Sequence, residues 1–370
     1  MITDDLRLVD QHCHGVVQQD LDRLGFETLL TEGSVPRNPF NSMLGLAVRR
    51  WCAPQLDLPP HATAEQYLAR REEWGWRRVS AHLLGSAGVG TWLLDTGIGV
   101  LTEPTAFAEL AGGSAHEVLR LETVAEQVAA AGVSATEFAV AVEEALRERI
   151  ATGVVGLKSI VAYRTGLELP AEPPAEEEVR AAAGAWLRWG GSRLDSRVLL
   201  SWLVHLGARL GAEYGLPLQL HTGFGDEDLR LHRADPALLS DFLAATRSSG
   251  VTIALLHCWP FHRNAAYLAH VFPHVLVDVG LAVPYVGDRC GVVLAELLEL
   301  APFDSVCFSS DGYGLPELHH LGALLWRRGV GRLIDSWVAE GTMTTADAER
   351  VVTGFAAVNV SRVYGLNVVV

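Results

Sequence analysis

A chain of 370 residues has room for one large α/β barrel or two ordinary domains, and 49% hydrophobic with 20% charged residues describes a globular protein with a large core. The formal net charge of −15 argues against nucleic acid or an anionic membrane as partner, since either would repel it. An acidic small molecule stays open, because one local arginine or a metal overrides the global field.

The start "MITDDLRLVDQ" lacks the basic residues and apolar core of a signal peptide, and no window reaches membrane-spanning length. Cys13, Cys52, Cys258, Cys290 and Cys307 form no CxxC pair and, being odd in number, no disulfide framework. They read as reduced thiols in a soluble, cytoplasmic protein.

The first apolar run, "LRLVDQHCH", ends in His12 and His14. Two residues apart on a strand, they share a face, where two imidazoles can chelate one divalent ion. Residues 15–89 then form a long interval, predicted to be a helical cap inserted after strand one. It holds a helix over "TAEQYLARREEWGWRRVSAHLLG", with Trp74 and Trp76, and is placed over the barrel mouth as a lid.

Further apolar runs follow at 90–98, 116–124, 153–163, 216–223, 251–259, 274–281 and 304–312, making eight candidate strands. Several are almost continuously apolar, as strands buried on both faces are. Helical stretches lie between them: "SATEFAVAVEEALRERIATG" starts at Ser134 and Thr136, and "DSRVLLSWLVHLGARLGAEYG" stops at Gly215. The Pro- and Glu-rich residues 167–180 read as an exposed loop. Strand–helix alternation predicts a parallel sheet, and eight strands predict an α/β fold of the (β/α)8 TIM-barrel type, one domain over residues 1–370.

The polar residues fall at the C-terminal ends of these strands, where barrel enzymes build their sites. His12 and His14 end strand one, Lys158 lies in strand four, His221 ends strand five, His257 strand six and Asp311 strand eight. The combination is a metal site. Lys158 interrupts an apolar strand, so its ammonium must be paired, for example with Glu122 or Asp311, or neutralised.

The motifs "VDQHCHG", "GLKSIVAYRTGL", "LQLHTGFGDEDL", "DVGLAVPY" and "SSDGYGLPEL" resemble the amidohydrolase superfamily. More narrowly, they resemble the branch that includes the N-terminal domain of FluG-type and nodulin-type glutamine-synthetase fusions. The resemblance implies a metal-dependent hydrolase acting on an amide, another C–N bond or an ester of a small molecule. Zn2+ (one or two ions, with Mn2+ or Fe2+ as alternatives) would be held by His12, His14, His221 and Asp311. Asp311 would be the general base toward a metal-activated water. His257 would polarise the substrate or join a carboxylated Lys158 on a second metal, an arrangement that favours hydrolysis. The alternatives are a metal-dependent decarboxylase of a small carboxylic acid and a non-catalytic, metal-retaining binding domain.

Tyr163 and Arg164 leave strand four toward the mouth, where Arg164 could bind a carboxylate bidentately or form a loop salt bridge. Glu122, read at the end of strand three, is a substrate contact or a partner of Arg120 or Lys158. Asp226, in the fifth loop, is a ligand-orienting candidate, while Asp228 reads as a helix cap. Asp278 and Tyr285 flank strand seven, where either could touch substrate. His262, His319 and His320 read as solvated loop residues. A homo-oligomer is compatible with the sequence.

Overall fold

Residues 1–188 and 190–367 are described in a computed structural model. Seven strands pair in chain order, all parallel: β1 (Leu8–Cys13), β2 (Val89–Asp95), β3 (Ser114–Arg120), β4 (Gly156–Ser159), β5 (Leu218–His221), β6 (Ile253–Leu256) and β7 (Val275–Val277). Parallel neighbours require crossovers, and helices supply them. Helix Arg197–Tyr214 shows the local logic: the Ser196 hydroxyl accepts from Leu199 N, and Gly215 ends it at a left-handed φ of 69°.

The eighth run does not form a regular strand. It still closes the ring, because Cys307 N donates to Val277 O (3.1 Å) on one side and Gln11 N donates to Phe308 O (3.1 Å) on the other. Two further bonds, Asp311 N to His12 O (3.0 Å) and His14 N to Gly312 O (2.8 Å), tie its end to β1. The extended course breaks at Asp311, whose φ of 49° lies outside the strand region.

Inside the ring, Val9, Leu93, Val118, Ala254, Leu256, Leu276 and Cys307 pack against Ala357, Val360 and Tyr364 of the C-terminal helical segment. That segment plugs the end of the barrel opposite the ligand-bearing strand ends. The larger apolar cluster lies between sheet and outer helices. All five cysteines are buried free thiols. Among the described residues no helix is long and apolar enough to cross a membrane.

Between β1 and β2, the single helix read from the sequence is two, Ala64–Trp74 and Trp76–Ser86. Gly75, at φ 74° and ψ 152°, breaks the path, and Trp76 N turns aside to donate to Asp20 (2.6 Å). The first helix opens with a Thr63/Gln66 capping box. The second packs between Pro104–Ala111 and Pro316–Ala339, so it belongs to the outer ring rather than to an added layer.

The residues before it run across the C-terminal ends of the strands. Val16 pairs with Gly314 and Val17 with Leu101. Further on, the Tyr285 hydroxyl donates to Glu32 (3.0 Å) and the Ser34 hydroxyl to Glu227 (2.7 Å), contacts to the loops after β7 and β5. Arg71 (2.6 Å) and Tyr67 (2.7 Å) then converge on the fully buried Glu317, at the start of helix Pro316–Ala339.

Candidate metal centre

Strand alternation brings His12 and His14 to one face of β1, and the turn after residue 310 carries Asp311 against them. Nε2 of His12 lies 3.2 Å and Nε2 of His14 3.4 Å from Asp311 Oδ1, while Nε2 of His257 lies 3.4 Å from Oδ2. The His221 ring sits 4.7 Å from that of His257. Lys158 Nζ is 3.2 Å from His12 Nε2. Six predicted residues from five stretches of chain therefore meet, and the most exposed of them, Asp311, is only 9% accessible. His12, His14 and Asp311 offer ligand atoms all within 4.8 Å of one another, the tightest part of the group.

The residues behind the ligands decide which ring nitrogen carries the proton. His14 Nδ1 faces the carbonyl oxygen of Asp95 (3.0 Å), which can only accept, so Nδ1 holds the hydrogen. His12 Nδ1 faces Gln219 Oε1 (2.8 Å). The Gln219 amide is oriented by its own NH2, which donates to Gln11 O (2.7 Å) and Tyr364 Oη (2.8 Å). In both neutral imidazoles the Nε2 lone pair thus points at the Asp311 carboxylate. Lone pairs and an anion facing one another across about 3 Å need a cation between them, and this donor set of two imidazoles and a carboxylate fits a divalent metal.

Electrostatics agree with that reading. Burial and the neighbouring Lys158 charge push His12 down to about 4, and burial holds His221 and His257 well below the ordinary histidine value. Neutral imidazoles are what a metal requires. Burial also lowers Lys158 to about 8, which makes the free amine accessible near neutral pH. Burial alone would raise Asp311, but the imidazoles of His257, His12 and His14 around it hold it well below the carboxylate range, the part a metal cation would take once their lone pairs face it.

Asp311 (φ 49°), His257 (φ 69°) and Cys258 (φ 46°) all adopt left-handed backbone without being glycine. The buried carboxylates underneath hold these turns. Asp278 accepts from His257 N (2.9 Å), Gly280 N (2.8 Å) and Gln11 Nε2 (2.7 Å); it is a backbone anchor, not the substrate contact considered from sequence. Asp10 accepts from Ser310 N (3.0 Å), and burial raises it to about 8.

The substrate-contact candidates divide. The Tyr163 ring lies 4.5 Å from that of His221, and its hydroxyl reaches the loop at Gly225, next to Asp226. Asp226 is exposed and accepts from Asp228 N (2.9 Å), while Asp228 pairs with Arg193 (3.0 Å) instead of capping a helix. Glu122 is not at a strand end: helix Leu121–Ala130 has already begun. There it accepts from Ser159 Oγ (2.6 Å) and Ile160 N (3.0 Å), bracing the end of β4. Neither Arg120 nor Lys158 takes it as a partner, because Arg120 is engaged by Asp95 (2.6 Å). Arg164 sits at the end of the short helix Val161–Arg164 and pairs with Glu126 (3.2 Å), the salt-bridge alternative.

His262, His319 and His320 are buried, not solvated. His319 lies 2.9 Å from His14 O through Nε2 and stacks under Gly312, where any side chain would strike its ring.

Two residues facing the centre escaped the sequence reading. Gln219 stands two positions before His221 on the same strand face, and that period-two offset was the available signal. Glu32, half-buried near the mouth, comes from irregular chain that carries no periodicity at all.

The amidohydrolase family profile matches residues 104–366. Protein fluG of Emericella nidulans (strain FGSC A4) is 33% identical over 225 residues, which are 58% of this chain and 26% of that protein; the chain thus spans about a quarter of that relative's length. A crystal structure from Lactobacillus casei ATCC 334, described as a candidate metal-dependent hydrolase, superposes with a TM-score of 0.87 at 27% identity, covering 98% of this chain and 96% of that one. The uronate isomerase of Thermotoga maritima (TM-score 0.63, 15% identity, 98% and 96% covered) and the glucuronate isomerase of Caulobacter crescentus (0.64, 14%, 100% and 93%) share the fold. The chain belongs to the amidohydrolase family.

Proposed function

We propose that the protein hydrolyses an amide or other C–N bond of a small molecule, with a divalent ion at the His12, His14 and Asp311 cluster. The observation that carries this reading is the pair of Nε2 lone pairs fixed toward a carboxylate. A divalent ion bound there supplies Lewis acidity, lowering the pKa of water and polarising a carbonyl oxygen. His12, His14 and Asp311 would hold it, with His221 as a further ligand.

The chain's own part is proton handling and exclusion of water. Asp311, kept ionised, accepts the proton of the attacking water and returns it to the leaving nitrogen. His257, neutral and 3.4 Å from Asp311, lies where it can donate to the substrate oxygen or join Lys158 on a second ion. A Lys158 carbamate would complete the two-ion form. The chain crossing the mouth at residues 16–34 acts as the lid.

The test is elemental analysis of protein purified without chelator, followed by a screen of γ-glutamyl amides, N-acyl amino acids, lactones and aromatic acids. Release of amine by the metal-loaded protein supports the reading. Carbon dioxide release from the aromatic acids, with no amide turned over, replaces it with the decarboxylase.

A further inference from the structure

We propose that Glu32 recognises a positively charged group, an alkylammonium or a guanidinium, on the molecule that enters the site. This rests on the metal-dependent hydrolase reading and adds a substrate class to it.

Glu32 does not reach the mouth by accident of a loose loop. It is anchored by the Tyr285 hydroxyl (3.0 Å), and two residues on, Ser34 is anchored by Glu227 (2.7 Å). Yet among the described residues no lysine or arginine forms an ion pair with it. The cations that could have done so are committed elsewhere. Arg120 is held by both oxygens of Asp95 and by the Gly97 carbonyl, Arg164 by Glu126, and Lys158 lies beside His12. Burial, with the charges of Asp311 and Asp226, raises its carboxyl to about 7, so Glu32 carries its negative charge above that pH.

Its walls suit an organic cation. Phe224 packs edge-on against Tyr285 (5.2 Å) and Trp259 (5.7 Å), Tyr163 against His221, and Tyr313 against His14 (5.8 Å). Half-buried aromatic faces beside an unpaired carboxylate attract ammonium and guanidinium groups and offer nothing to an anion. The same space adjoins the nitrogen read above as a further metal ligand. His221 Nε2, on a side chain only 4% exposed and without a hydrogen-bond partner, faces the Gly225 backbone beside the Tyr163 hydroxyl.

The experiment uses the full, zinc-loaded chain at pH 8, where Glu32 is ionised, with n-butylammonium and butyrate as probes of equal length and opposite charge. Isothermal titration is the readout, and zinc content is measured on every sample. The expected result is saturable butylammonium binding with butyrate at least about tenfold weaker. Glu32→Gln removes the preference and Glu32→Lys inverts it, both keeping their zinc. Equal binding of the two probes, preference for butyrate, or an unchanged preference in zinc-loaded Glu32→Gln overturns the assignment alone. A chain that holds no zinc overturns the hydrolase reading and this one with it.

Discussion

Lys158 Nζ and His12 Nε2 lie 3.2 Å apart, so in the metal-free chain an amine stands hydrogen-bonded to the nitrogen expected to carry the metal. The lysine is 2% exposed, and burial has already lowered its pKa to about 8. A neutral amine at neutral pH is what reaction with carbon dioxide requires. Zinc-saturated protein equilibrated with 13C-bicarbonate should therefore take up one carbamate carbon per chain, seen by NMR, and hold two zinc ions. Lys158→Ala should hold one. A bare side chain beside a single ion would return the centre to the mononuclear class and put decarboxylation level with hydrolysis.

The purified protein should carry at least one equivalent of zinc, manganese or iron. His12→Ala combined with His14→Ala deletes both oriented lone pairs and should abolish that content in elemental analysis. Full retention by the double variant would mean the ligands lie elsewhere.

Asp311→Asn keeps the shape of the side chain but removes the proton acceptor. Turnover should fall by about 10²- to 10⁴-fold, the range of a lost general base, with an unchanged circular dichroism spectrum. Near-normal turnover would rule out Asp311 as the base.

Arg71 and Glu317 form a buried ion pair that fastens helix Ala64–Trp74 to helix Pro316–Ala339. Removing one partner strands the other charge in the interior, a cost of about 3–5 kcal/mol. Arg71→Leu should lower the urea midpoint accordingly, and Arg71→Leu with Glu317→Leu should recover part of the loss. A double variant weaker than the sum of the singles would contradict the pairing.

His320 is 2% exposed, and burial lowers it from 6.5 to about 4. With the folded value below the unfolded one, its contribution is complete above pH 6.5 and disappears as the pH falls through 4. Between pH 7.5 and 4.5 the native protein should lose about 2–3 kcal/mol more than His320→Asn does, on the linkage of a shift this size. Unfolding curves at the two pH values measure it; parallel losses in both proteins would show that His320 does not titrate this way.

The candidate cluster was legible because barrel chemistry is periodic. His12 and His14 share a face by strand alternation, and His221, His257 and Asp311 each close an apolar run. The eighth strand was harder to read, since a run such as "SVCFSSDG" does not disclose that residue 311 leaves the extended region or that Ser310 turns toward Asp10. Glu122 was misplaced by two residues because "LRLETV" is equally apolar as strand and as first helical turn. The solvated histidines failed for a tertiary reason: helix Pro316–Ala339 brings His319 against the chain just past β1, and nothing local to His319 says that its partner is the carbonyl of His14. Glu32 had no signal, its position being set by Tyr285, which is 253 residues away in sequence.

The C-terminal helix gives the metal centre a foundation. Tyr364 accepts from the Gln219 NH2, which leaves the Gln219 oxygen facing His12 Nδ1. If that phenol were lost, the Gln11 carbonyl would be left to hold the amide alone; were the amide to turn over, its NH2 would face the ring, and His12 would adopt the opposite tautomer and aim a hydrogen, not a lone pair, at the metal. Affinity for the ion is therefore set partly from the floor of the barrel, by a residue that neither ligand nor substrate ever touches.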